Sequence, residues 1–256
     1  MNPGSTLSKS SARLLMLAGV VVFLGLWELA SVCGLISSAL MPPPSSIIPA
    51  LSSELSHGLF FKYIGDSLEH YLLGVVVGTV LGIGLGITAG LWKPAEAAQE
   101  GIARLLRPVP PIAWIPFAII WFGVTETAAA FIVATGVLWL NYFATVAAIK
   151  AVDPGFIELS YAFNQGGLFK RLWKVILPSA ASGIFSGIRT GISMGWISVL
   201  AAELFGVSGI GQRMMEASGL LATNIVLLYM AVIAILYSVF DSLVVLAHRK
   251  VVRWTP

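Results

Sequence analysis

The chain has 256 residues, 57% hydrophobic and only 11% charged, with a formal net charge of +3. Soluble domains carry about 25% charged residues, so this chain cannot cover itself with polar groups in water and reads as an integral membrane protein. The single cysteine, Cys33, excludes an intrachain disulfide or a multi-cysteine metal site.

Lys9 and Arg13 precede an apolar run from Leu14 to Ile36. The run is longer than the apolar core of a signal peptide and is read as an uncleaved first span with the N-terminus inside. Glu28 lies within it and is expected to face protein rather than lipid. Met41-Pro42-Pro43-Pro44 cannot continue a helix, so residues 37–66 are expected to form an external loop with a short interfacial helix.

The second span, from about Ser67 to Trp92, carries Gly74, Gly78, Gly82, Gly86 and Gly90 at every fourth residue. Such a stripe winds slowly around a helix and lets two backbones approach closely in lipid. The GxGxG at 82–86 follows no strand and opens no polar helix, so a dinucleotide site is excluded by context. The third span, about Ala95 to Phe122, is broken by Arg107-Pro108-Val109-Pro110-Pro111 and by Pro116. Prolines deep in a span free carbonyls, which is tolerable only against protein or a water-filled cavity. The fourth span, about Thr127 to Ile149, ends at Lys150.

Residues 153–177 form a polar interruption. Asp153-Pro154 reads as a helix start, and Phe156, Ile157, Ser160, Tyr161 and Phe163 fall at helical spacings as one partly aromatic face. Asn164-Gln165-Gly166-Gly167 is expected to stop that helix through a left-handed cap. A second segment with Lys170, Arg171 and Lys174 closes at Leu177-Pro178. The fifth span then repeats the glycine device at Gly183, Gly187, Gly191 and Gly195, beside a polar face of Ser182, Ser186, Arg189, Ser193 and Trp196. Arg189 lies eleven residues after Pro178, about 16 Å along a helix and near mid-bilayer. A charge there needs a partner or water: either it faces a solute path, or it is an ion pair with Glu28 or Asp241. Residues 203–223 are an external connection, and the sixth span, Asn224 to Ala247, ends at His248-Arg249-Lys250.

With both termini inside, the inner segments hold Lys9, Arg13, Lys93, Arg104, Arg107, Lys150, Lys170, Arg171, Lys174, Arg249, Lys250 and Arg253, against Lys62 and Arg213 outside. This positive-inside bias places the 153–177 loop in the cytoplasm.

Six spans, that loop, and the stretches RPVPPIAWIPFAIIWFGVTET (107–127), VDPGFIE (152–158), ILPSAASGIFSGIRTGIS (176–193), AAE (201–203) and GIG (209–211) resemble type I (MetI-like) ABC importer permeases. The narrower likeness is to the nitrate, sulfonate and taurine branch. The resemblance implies an all-α polytopic fold with a cytoplasmic coupling helix. It divides the chain into an N-terminal helix and external loop (1–60), a permease domain (61–247) and a basic tail (248–256). It implies coupling through Asp153, Phe156, Glu158, Tyr161, Gly166 and Gly167, and a path lined by Ser182, Ser186, Arg189 and Ser193. The family loop usually reads glutamate, two alanines, three residues, then glycine; here Leu159 and Ser160 follow Glu158, and the glycines come late.

The resemblance further implies a bacterial inner-membrane transport subunit that is not an enzyme, with no catalytic or metal residues and no cofactor of its own. ATP and Mg would sit on two partner ATPase chains, alongside a second copy of the permease, an external solute-binding protein and lipid, with no nucleic acid. GxxxxGK[ST] is absent from the chain. Taurine or another sulfonate is the first expectation for the solute, with nitrate, bicarbonate, an aromatic acid or a vitamin precursor open. A stand-alone carrier or channel would place ionisable relays in the spans, where only Glu28, Arg189 and Asp241 stand; an intramembrane enzyme would need a constellation that His57, His70 and His248, near span ends or loops, do not make.

Overall fold

The computed structural model describes residues 8–162 and 167–252. Its helices are α1 (Lys9–Val32), α2 (Ile47–Ser56), α3 (Leu59–Leu91), α4 (Lys93–Leu106), α5 (Ile115–Phe122), α6 (Glu126–Lys150), α7 (Pro154–Ala162), α8 (Leu168–Glu203), α9 (Ile210–Gly219) and α10 (Thr223–Val251). Five of them, α1, α3, α6, α8 and α10, are long and apolar enough to cross a membrane. The described residues contain no strand. The chain divides into two units, Met1–Phe61 with Met214–Ala231, and Lys62–Arg213 with Val232–Pro256.

In the larger unit the glycine stripe of α3 sets the core. A Cβ added at Gly74 would meet Val133, at Gly78 Val137, at Gly82 Asn141, at Gly86 Thr145 and at Gly90 Ile149. The offset is constant: 133 − 74 and 149 − 90 both equal 59. A fixed difference means that α3 and α6 run parallel and stay in register, with no side chain holding the backbones apart. The stripe of α8 meets the same helix in the opposite sense, Gly183 against Ala148, Gly187 against Ala144 and Gly191 against Asn141, while Gly195 meets Tyr71 and Val75 of α3. Thus α6 lies between α3 and α8, and Val133 and Val137 at this junction have no exposed surface. Tyr71 stacks on Trp196 at 4.3 Å, and Phe240 of α10 closes the cluster.

Two parallel spans need one return crossing between them, and α4 with residues 111–122 supplies it. The third span is not one helix: Lys93–Leu106 and Pro111–Phe122 meet at 93°, because Pro108, Pro110 and Pro111 remove donors and Pro110 is extended before Pro111 (φ −66°, ψ 147°). Its partners march along α6. Glu96 pairs with Lys150, Ala103 packs against Tyr142, Arg107 lies 4.6 Å from the Phe143 ring, Pro111 abuts Gly136, and Ala118 packs with Ala128. From Lys150 to Ala128 is 150 − 128 = 22 residues, about 33 Å, the thickness of a hydrocarbon core. The bent pair therefore traverses the membrane once and makes the sixth span.

Two further boundaries differ from the sequence expectation. The helix of the second span begins at Leu59, eight residues before the expected Ser67. Leu177-Pro178 does not end a segment: α8 runs unbroken for 36 residues. A π-helical turn at Leu172–Ile176 widens the helix just before Pro178, and so accommodates a proline that would otherwise clash with the preceding turn.

In the smaller unit, Glu28 accepts hydrogen bonds from the Ser45 backbone N–H (3.0 Å) and hydroxyl (2.7 Å), so it does face protein. Tyr229 donates to the buried Glu54 at 2.8 Å, and Thr223 donates to Ala39 O at 3.0 Å. The connection between α8 and α10 contains a helix of its own, α9.

Candidate functional site

The loop between α6 and α8 begins with an Asx turn. Asp153 Oδ1 accepts from the Gly155 N–H at 2.8 Å, which satisfies one free donor of the first turn of α7. Val152 and Ile157 then pack with Ile149 at the end of α6 and Ile176 near the start of α8. Ser160 is buried and donates to Ile157 O at 2.6 Å.

The expected single aromatic face is therefore divided. Ile157 and Ser160 turn toward the spans, while Phe156 (54% exposed), Leu159 (54%) and Tyr161 (57%) turn to solvent, beside the exposed Glu158. A three-residue step from Phe156 keeps Leu159 on its side of the helix, whereas Ile157 falls about 100° away. Phe163 and Gly166 lie outside the described residues. Gly167 is extended (φ −73°, ψ 131°) and caps the start of α8; Asn164 and Gln165, the rest of the expected left-handed cap, also lie outside the described residues.

Arg171 ties the two halves of the loop together. Its guanidinium lies 4.1 Å from the Tyr161 ring and donates to the Tyr161 hydroxyl at 2.6 Å. Leu168, Phe169 and Trp173 are exposed, with the Phe169 and Trp173 rings 6.1 Å apart. The loop thus presents apolar groups in a place where burial would require another molecule.

Further along α8, the polar face opens onto a cleft of about 140 Å³ lined by Ser182, Ser186, Arg189 and His248 among others. Arg189 is held by Asp241 of α10 in a two-pronged pair, Nη2 to Oδ2 at 2.7 Å and Nε to Oδ1. Half of the arginine side chain remains exposed. Ser193 is half-buried and does not line the cleft. Trp196 leaves the polar face altogether and is buried against Tyr71. Of the two partners considered for Arg189, Glu28 is engaged by Ser45 and Asp241 is the one present.

Sequence reasoning missed a buried network at the other end of α8, where Glu203 meets Ser67 and His70. The AAE and GIG stretches meet here, since a Cβ at Gly209 would collide with the Glu203 carboxylate.

The family model described as "Binding-protein-dependent transport system inner membrane component" matches residues 78–255. The chain is 31% identical to the aliphatic sulfonates transport permease protein SsuC of Bacillus subtilis (strain 168), over 91% of this chain and 84% of that one. It is 29% identical to the taurine transport system permease protein TauC of Escherichia coli (strain K12), over 94% and 89%. Against the bicarbonate transport system permease protein CmpB of Synechococcus elongatus it is 30% identical over 79% and 76%. Among solved structures, the MetNI methionine ABC transporter in inward-facing conformations has a similar chain, with TM-score 0.63, 21% identity and coverage of 78% and 97%.

Proposed function

The chain belongs to the binding-protein-dependent transport system inner membrane components, and from that premise we propose that it imports a small anionic solute, taurine or another sulfonate first. It is a multi-pass permease subunit of an ABC importer and not an enzyme. We assign ATP and Mg to two cytoplasmic partner ATPases and solute delivery to an external binding protein. The working complex would hold two copies of this chain, with both termini and the 153–177 loop in the cytoplasm.

The observation that carries this reading is continuity. Phe156 and Leu159 stand exposed on α7, Arg171 binds α7 to the start of α8, and α8 runs on as one helix past Arg189. A push on α7 by a partner would reach the polar cleft along a single rod. Apolar groups on a short helix suit a groove on the ATPase.

The Arg189–Asp241 pair suits passage rather than capture. A lone guanidinium in a low-dielectric path would hold a sulfonate tightly, whereas Asp241 competes for the same donors and keeps the anion's residence brief. The relatives named for sulfonates and taurine support a sulfonate, and the one named for bicarbonate supports a smaller oxyanion as the second reading.

The test is uptake into proteoliposomes containing the permease, its ATPase and its binding protein. ATP-dependent accumulation of labelled taurine, competed by alkanesulfonates more strongly than by bicarbonate, is expected. Accumulation without the ATPase would overturn the permease reading, and preferential competition by bicarbonate would overturn the substrate.

A further inference from the structure

The outer end of α8 is fastened by a network that the transport reading leaves unused. Glu203 and His70 have no exposed surface. The Glu203 carboxylate accepts from Ser67 Oγ at 2.5 Å and from the Gly211 N–H at 2.5 Å, and its Oε1 lies 2.7 Å from His70 Nε2. His70 Nδ1 in turn faces Glu126 of α6 at 2.5 Å. The strap that follows α8, residues 204–211, turns at Gly206, whose φ of +103° few other residues adopt. It then returns onto α3: Ser208 donates to Asp66 at 2.5 Å, and the Ile210 N–H to Ser67 Oγ at 2.8 Å. Glycines at 209 and 211 are what permit this approach, because a Cβ at either would strike Glu203.

We propose that Ser67, His70 and Glu203 are positioning residues for the transport step: they join the outer ends of α3, α6 and α8 into one body that stays joined while solute passes. The inference rests on the permease reading. Its physical ground is the contrast between the two ends of α8. At the inner end the packing of Ile149, Val152, Ile157 and Ile176 is apolar, the polar tie there, Arg171 to Tyr161, is exposed to water, and apolar surfaces can slide with little loss. At the outer end a buried carboxylate has two donors, Ser67 Oγ and the Gly211 N–H, beside His70 Nε2, and parting them would leave a charge or a donor unsatisfied away from water. Arg189 lies 203 − 189 = 14 residues from the joint, about 21 Å of rigid helix. The joint therefore fixes the height and facing of the guanidinium relative to α3 and α6. Alternation must then move this body as a whole, not part its helices at the outer face.

The experiment cross-links the strap to α3 in the complete transporter. Asp66→Cys and Ser208→Cys are introduced with Cys33→Ser, and ATP-driven uptake is compared before and after treatment with a short bis-methanethiosulfonate. Unchanged uptake after cross-linking supports the joint; arrest of uptake overturns it. Glu203→Gln supplies the second readout. Uptake per ATP hydrolysed should fall several-fold while the ATPase still co-purifies, and an unchanged ratio would overturn the positioning role. If Glu203→Gln fails to assemble, the cross-link decides, since it leaves Glu203 intact. Were the complex without any substitution to show no ATP-driven uptake, the permease reading would fail on its own. The joint would then be read from hydrogen exchange of residues 206–213 in that complex with and without ATP, equal protection supporting it and loss of protection with ATP overturning it.

Discussion

Gly82 and Asn141 lie so close that a Cβ on the glycine would stand 2.8 Å from the asparagine Cβ and 2.5 Å from the Leu138 carbonyl oxygen. The second obstacle is backbone and cannot rotate away. Gly82→Leu should therefore cost more than the roughly 1–3 kcal/mol usual for an overpacked core and part α3 from α6. Loss of assembled complex on co-purification is expected. The same change at Gly84, where nothing lies within 4 Å, should leave assembly intact.

The exposed side of α7 separates docking from folding. Replacing Phe156 and Leu159 by serine should release the ATPase while the permease remains monodisperse in detergent, because neither side chain supports the spans. Ile157→Ser should do the reverse and lower the thermal midpoint of the permease itself, since Ile157 packs among Val152 and Ile176. ATPase retention by the Phe156/Leu159 double variant would contradict the assignment of the docking side.

Arg189 and Asp241 offer a charge-reversal test. Arg189→Gln should abolish uptake with the complex still assembled, and Arg189→Lys should keep part of it, because one ammonium retains the charge but loses the two-pronged geometry. The exchanged pair, Arg189→Asp with Asp241→Arg, should assemble and still not transport if the arginine lines the path. Recovered transport in the exchanged pair would reduce both residues to a strut.

Asp153 caps α7 through its bond to Gly155. Asp153→Ala should loosen that helix by about 1 kcal/mol. Faster protease cleavage within residues 153–177, with unchanged stability of the spans, is the expected result.

Much of this architecture could be read from spacing alone. Glycine every fourth residue at 74–90 and 183–195 marks close helix contact, and both stripes do meet neighbouring helices. What spacing cannot name is the partner. Two stripes of equal character could have packed on each other, and only the fold shows α6 between them. The aromatic face of α7 was misassigned because Phe156 and Ile157 are adjacent and equally apolar, so the sequence carries no sign of which one the spans recruit. The joint at Glu203 was hidden by separation in the chain, His70 lying 133 positions from its carboxylate. The bent third span was legible in its prolines, but its 93° angle depends on what α6 offers it at each level.

The π-helical turn at Leu172–Ile176 changes how α8 must be numbered around its axis. A single such turn holds one residue more than an α turn, so everything before Leu172 is rotated by about 100° relative to an uninterrupted helix. Phe169 and Ser182 therefore do not share the angular relationship that a helical wheel assigns them, and a mutational scan across this turn would show its periodicity slip by one position. Removal of Val175 together with Pro178→Ala, which lifts the need for the widened turn, should restore an ordinary helix with both faces kept. A deletion elsewhere in the span would instead turn one half of α8 against the other.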